Sequence, residues 1–197
     1  MINKILIIFL ATFSSCSLIE YDDIVPITRQ VLFGTEEVEI DQDLLASQGA
    51  SIARINIGRS ESYLLTLQRI NAGYYYWRSS SLEGVTIITN RFGKILSTHN
   101  LKSNISVIKD NFSITDKSTL YNVMLLDPTA FIEQEALITS SYSSDNNLIL
   151  KELIYNKVIK SSWENVYIID NNNLPIKTTQ KIHPNLGKIE MDFFFKL

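Results

Sequence analysis

The sequence predicts an all-β protein: an antiparallel β-barrel or a two-sheet β-sandwich of about ten strands, with little helix. Apolar and polar residues alternate with a period of two from Gly49 onward, for example in residues 51–57. β-branched and aromatic residues fill these segments. Short runs rich in Gly, Asn and Asp separate them, as turns separate the strands of a meander.

The first half of this region is predicted to form consecutive hairpins. Asn71-Ala72-Gly73 and residues 90–93 supply turn chemistry, because Asn and Gly tolerate a positive φ. The predicted strands here cover residues 51–57, 62–70, 74–77, 84–89 and 94–98.

The second half has the same character after a less regular stretch. Residues 100–128 are predicted to be a crossing connection that ends at Asp127-Pro128. Asn-rich turns at 145–147 and 171–173 separate later strands, and the last strand includes Phe193-Phe194-Phe195, which we interpret as core. The predicted strands cover residues 131–142, 148–159, 161–169, 174–182 and 188–195.

The N-terminus has the pattern of a secretory signal peptide. Lys4 precedes a short apolar run at residues 5–11, which is shorter than the roughly 20 residues a membrane-spanning helix needs. Phe13-Ser14-Ser15 then precedes Cys16, the single cysteine of the chain, and this resembles the lipobox of bacterial lipoproteins. We interpret Cys16 as the lipid attachment point, since its thiolate can form a thioether. The alternative is a buried or redox-active cysteine.

These features divide the chain into three segments. Residues 1–15 are the predicted signal peptide, and residues 16–48 are a lipidated N-terminus with an acidic tether, part of which packs on the domain. Residues 49–197 are a single β-domain. Ser17 stands where Asp tends to retain such lipoproteins at the inner membrane, so we expect an outer-membrane anchor with the domain facing the periplasm.

Composition excludes several function classes. Hydrophobic residues make up 45% and charged residues 20%, which is typical of a globular domain. The net charge of −3 argues against a nucleic-acid partner, because such binders carry clustered cations. With one cysteine, no disulfide can form within the chain.

No catalytic or metal motif is apparent, so we expect no enzyme activity and no cofactor. The two histidines, His99 and His183, lack metal-ligand spacing and are interpreted as exposed turn residues. The G-x-S-x-G motif of a nucleophile elbow is absent. Acidic residues of the strand region alternate with apolar ones, so each is expected to face water: Glu133, Glu135, Glu152 and Glu164.

An aromatic strand is the strongest ligand-binding candidate. Tyr74, Tyr76 and Trp77 can stack on the C–H faces of sugars, and Arg78 can meet an anionic glycan. The alternative is a strand with Tyr74 and Tyr76 on one face and Tyr75 and Trp77 on the other, so that half of the rings are core.

A second aromatic strand is assigned a structural role. Trp163, Asn165 and Tyr167 alternate and therefore share one face. An amide buried among large rings must be hydrogen-bonded, so we expect Asn165 to fix a neighbouring turn.

Two segments carry a resemblance to a known family. One comprises Trp77-Arg78-Ser79, residues 86–95, Thr98 and Leu101. The other comprises residues 163–170 with Lys177, Thr178, Gln180 and Pro184. Together they resemble the YjbF/GfcB family of bacterial lipoproteins, which are encoded with exopolysaccharide and group 4 capsule functions. The departures from the family pattern are Lys94 for Arg, Asn100 for Gly, Ile168 for Trp, and Lys177 with Thr178 for Trp-x-Ser.

The resemblance implies an all-β outer-membrane lipoprotein linked to secretion or assembly of a surface polysaccharide, with no catalytic activity to carry over. We therefore expect a lipid-anchored, non-enzymatic accessory protein that binds a glycan or a partner of the export machinery. The alternatives are a glycan-modifying enzyme and an assembly factor that binds protein alone.

Overall fold

The computed structural model describes residues 49–58, 61–80, 84–108, 112, 118–126 and 129–196. The predicted signal peptide, Cys16 and the tether lie outside these residues. The described part of the chain holds twelve strands: β1 Ile52–Ile57, β2 Glu61–Asn71, β3 Tyr74–Ser79, β4 Thr86–Asn90, β5 Ile95–His99, β6 Ile105–Val107, β7 Thr119–Leu126, β8 Thr129–Tyr142, β9 Leu148–Asn156, β10 Ser161–Ile169, β11 Pro175–Gln180 and β12 Ile189–Phe194. The described residues include no helix that could span a membrane.

The strands form a closed antiparallel barrel. Each strand pairs with its neighbours in sequence, and β1 closes the ring by pairing with β12 through Ile52↔Phe194 to Ile57↔Ile189. Closure gives every strand two partners and removes the open edges on which other chains could add. The all-β prediction is confirmed, and of its two alternatives the barrel is observed.

The crossing connection predicted over residues 100–128 is wrong, because β6 and β7 lie there. β6 is only three residues long and pairs with β5 through Ser97↔Ser106 alone. β7 buries Tyr121, Val123 and Leu125, but apolar residues also stand on its other face. Neither strand therefore shows the clean alternation that predicts a strand from sequence.

Inward-facing side chains fill the barrel. Trp77 is fully buried, with its ring centroid 5.5 Å from that of Phe193 and 5.9 Å from that of Phe195. Its indole Nε1–H donates to Thr89 Oγ1 at 3.1 Å, so the ring is buried without an unsatisfied donor. The prediction that the last phenylalanine strand contributes to the core is confirmed.

Asn90 stabilises the turn between β4 and β5 from within the turn. Asn90 Oδ1 accepts the backbone N–H groups of Phe92 and Lys94, both at 3.0 Å. Gly93 N–H donates to the Asn90 carbonyl at 3.0 Å, which closes the turn. Phe92 packs against a small second core cluster that includes Tyr167.

Gly93 lies directly against β11 and β12. Its φ of +81° favours glycine, and a Cβ there would stand 2.8 Å from Thr178 Cγ2. The same Cβ would stand 3.1 Å from Pro175 Cβ and from the Phe193 ring. The turn can therefore approach these strands only with glycine at this residue.

Gly93→Ala should destabilise the fold more than Gly73→Ala. Both glycines have a φ of +81°, but nothing lies within 4 Å of a Cβ at Gly73. Gly73→Ala should cost about 1 kcal/mol from backbone strain, whereas the clash in Gly93→Ala should add about 1–3 kcal/mol. Urea unfolding measures both, and equal losses would contradict the close packing of this turn.

Candidate functional site

The predicted ligand-binding residues of β3 do not share one face. Tyr74, Tyr76 and Arg78 point outward, and Tyr74 is 36% exposed. Trp77 points inward and is fully buried, so a ligand could reach its ring only if the core opened. This arrangement matches the alternative in which half of the rings of this strand are core.

The outward face of β3 combines rings with cations. The Arg69 guanidinium of β2 lies 4.2 Å from the centroid of the Tyr76 ring, a cation–π contact. Tyr74 and Arg78 are the neighbouring outward residues along the strand. Aromatic faces beside cations are suited to a sugar that carries negative charge.

A polar cluster occupies the interior of the barrel, centred on Glu152 of β9. This carboxylate is 0% exposed. Lys94 Nζ, just before β5, lies 2.5 Å from Glu152 Oε1. On β10, the Tyr167 hydroxyl donates to Oε2 at 2.6 Å and Asn165 Nδ2 donates to it at 3.1 Å. Both carboxylate oxygens are thus satisfied by protein donors.

Two amides extend the cluster to the backbone. Asn165 Oδ1 accepts the N–H of Lys181 at 2.8 Å, just after β11. Gln180 of β11 accepts the N–H of Ile95 at 2.9 Å and donates Nε2–H to the carbonyl of Gly93 at 2.9 Å. The Gln180 side chain therefore binds the β4–β5 turn across the barrel, as a paired strand would. Asn165 thus binds the backbone just after β11 as well as Glu152, and its role in fixing a neighbouring turn stays a prediction.

Aromatic rings surround the buried ammonium. Lys94 Nζ lies 4.1 Å from the centroid of the Tyr121 ring and 5.1 Å from that of Phe112. A buried cation loses its hydration, and the carboxylate and the ring faces replace part of it. The Lys94 ammonium thus contacts Tyr121 of β7 and Glu152 of β9, and it links both strands to the start of β5.

Two of the buried polar residues, Glu152 and His183, differ from the sequence prediction that they are exposed. Glu152 was expected to face water, and this is wrong. The outward residues of β9 include Leu153 and Tyr155, so both faces carry apolar side chains and the pattern does not identify the inward one. His183 was expected to be exposed but is buried, and its Nδ1 accepts the N–H of Asn185 at 3.0 Å. His99 is exposed, as expected.

The cluster holds charge in the core, and both carboxylate oxygens of Glu152 are already bound by protein donors. In the residues that the structure describes, no group of three or more His, Cys, Asp or Glu side chains could hold a metal ion. Burial raises the pKa of the Tyr167 phenol well above its usual 10.0, and the neighbouring Glu152 carboxylate raises it further. Tyr167 therefore acts as a neutral hydrogen-bond donor.

Tyr167→Phe should reduce the amount of stability that the protein loses as the pH rises above 8. The unfolded phenol ionises near pH 10 and the buried one resists ionisation, so the contribution of this group is full below pH 10 and is lost as pH rises toward the raised pKa. Urea unfolding between pH 8 and pH 11 should give a shallower decline for Tyr167→Phe than for wild type. Tyr142→Phe, at a 74% exposed residue, is the control. A decline as steep as that of wild type would contradict the raised pKa.

Comparison with known proteins agrees with this architecture. The family model described as group 4 capsule polysaccharide lipoprotein gfcB, YjbF, matches residues 27–194. The crystal structure of the hypothetical lipoprotein YmcC from Escherichia coli (K12) is similar, with a TM-score of 0.62 and 12% identity over 82% of this chain and 99% of that one. That likeness concerns the fold, and no curated protein matches significantly. The family match covers most of the chain, which therefore belongs to the YjbF family of group 4 capsule polysaccharide lipoproteins.

Proposed function

We propose that this protein is a lipid-anchored, non-enzymatic accessory protein for export or assembly of an exopolysaccharide or capsule. The family match over residues 27–194 carries this proposal. Cys16 is its proposed lipid attachment point. The lipid would anchor the chain at the outer membrane, with the β-domain facing the periplasm. Burial of acyl chains contributes about 0.8 kcal/mol per methylene, so a multiply acylated cysteine would anchor the chain durably.

The geometry of the interior cluster is suited to bracing the barrel and not to general acid–base catalysis. A general acid or base must reach its substrate, directly or through one water. Glu152 is fully buried, and its oxygens accept from Lys94, Asn165 and Tyr167. Such a saturated carboxylate is suited to holding strands together.

The outward face of β3 is the proposed glycan-binding surface. Tyr74, Tyr76 and Arg78 lie there beside Arg69. Rings provide stacking for the C–H faces of sugars, and guanidinium groups bind carboxylate or phosphate substituents. Trp77 would support this face from inside the barrel.

The second candidate function is docking to a protein of the export machinery. Large apolar side chains are exposed on the outer surface of β8, β9 and the turn that follows, with Phe131 70%, Leu153 47%, Tyr155 43% and Val158 74% exposed. We refer to these four residues as the β8–β9 surface. Exposed apolar clusters on soluble domains are typical of protein interaction sites.

Complementation of a deletion strain tests the anchor and the export role together. The deletion should lower surface polysaccharide, wild type should restore it, and Cys16→Ala should not, because the chain loses its acylated anchor. Ser17→Ala keeps the cysteine and is the matched control. Extracellular and surface polysaccharide are measured, together with membrane-bound protein. Unchanged polysaccharide in the deletion, under conditions where wild type makes it, would contradict the proposed function.

One further variant in the complementation experiment distinguishes glycan binding from docking to a protein. Leu153→Glu changes a half-exposed side chain of the β8–β9 surface and leaves the core intact. Full restoration by this variant at normal protein level favours glycan binding, and failure favours docking through this surface.

A further inference from the structure

A small cavity lies among the inward residues of β7 to β10 and the segment after β11. Its volume is about 50 Å³. Leu125, Ile132, Ile182 and Pro184 provide apolar walls, and Asn156 and Trp163 provide polar edges. One water needs about 10–15 Å³ of such space, so this cavity has room for a group of several heavy atoms.

Two buried donors in this cavity have no acceptor. Trp163 Nε1 and Asn156 Nδ2 lack a hydrogen-bond partner among the residues that the structure describes. Asn156 is 1% exposed. It pairs with Ser161 across β9 and β10, which makes Trp163 its diagonal neighbour on the same inward face. Both residues line the cavity, so two donors without acceptors belong to the walls of one small space.

The orientation of the Asn156 amide is fixed by its own turn. Its Oδ1 accepts the N–H of Val158 at 2.9 Å and of Ile159 at 3.1 Å. A flipped amide would place its NH₂ against two N–H donors, so Nδ2 must be the amide atom that has no hydrogen-bond partner. The cavity therefore combines two N–H donors that lack acceptors with apolar walls, and Gln134 and Lys181 also line it.

We propose that this cavity binds the acetyl group of an acetylated sugar. The carbonyl oxygen would accept from Trp163 and Asn156, and the methyl group would contact the apolar walls of Leu125 and Ile132. Buried donors without acceptors are costly, and a carbonyl supplies the acceptor without adding a donor. This inference rests on the proposed function, because it names the glycan class that such an accessory protein would recognise.

The chain offers a direct probe, because it contains only two tryptophans. Methyl N-acetyl-β-D-glucosaminide is titrated into the full-length protein in detergent, and the two indole ¹H–¹⁵N signals are followed. The Trp163 signal should shift saturably. The Trp77 signal should stay, because its N–H already donates to Thr89 in the core. Methyl β-D-glucoside, which lacks the acetyl group, should leave both signals unchanged.

Two variants test the donors. Asn156→Asp keeps the Oδ1 acceptor of the turn and removes the donor, so half-saturation should need about tenfold more acetylated probe. Asn172→Asp, in an exposed turn, is the matched control. Trp163→Phe assigns the indole signal and should weaken probe binding to a similar extent, measured from the acetyl methyl resonance of the probe. The Trp77 signal reports folding in every Asn156 and Asn172 sample.

Three results would overturn the acetyl site: no saturable Trp163 shift, an equal shift with the glucoside, or unchanged affinity in both donor variants. The outcome is separable from the proposed function. Normal polysaccharide in the deletion strain would reject the export role while leaving probe binding intact. Loss of polysaccharide without probe binding would reject this site alone.

Discussion

The buried ion pair between Lys94 and Glu152 is the interaction on which the rest of this barrel depends. A closed barrel of twelve strands encloses a wider interior than one of about eight strands, so large and long inward side chains are needed to fill it. Here the β4–β5 turn approaches β11 and β12, and Lys94 binds Glu152 of β9. A buried charge pair stabilises only when hydrogen bonds complete it, and Asn165 and Tyr167 supply them.

The same network includes residues of the two segments that resemble the family, although these segments are distant in sequence. The first contributes Gly93 and Lys94, and the second contributes Asn165, Tyr167 and Gln180. Gln180 donates directly to the Gly93 carbonyl, whereas Lys94, Asn165 and Tyr167 meet at the carboxylate of Glu152, which belongs to neither segment. Residues of both segments thus contribute to one internal bracing network.

Much of the fold could be predicted from alternation and turn chemistry, because β3, β4 and β10 each bury one face. β6 could not be predicted, because three residues are too few to show an alternating pattern. The inward face of β9 was not identified, because Leu153 and Tyr155 face outward while Glu152 faces inward. The partner of Glu152 lies 58 residues away in the chain, and such pairing depends on barrel closure rather than on local sequence.

A double-mutant cycle on Lys94→Met and Glu152→Gln tests the central claim most directly. Each single change leaves its partner unpaired in the core and should cost about 3–5 kcal/mol of unfolding free energy. The double variant removes both charges, so its loss should fall short of the sum by about 2 kcal/mol or more. Losses that add to within about 0.5 kcal/mol would show that the two residues act independently and would contradict this account.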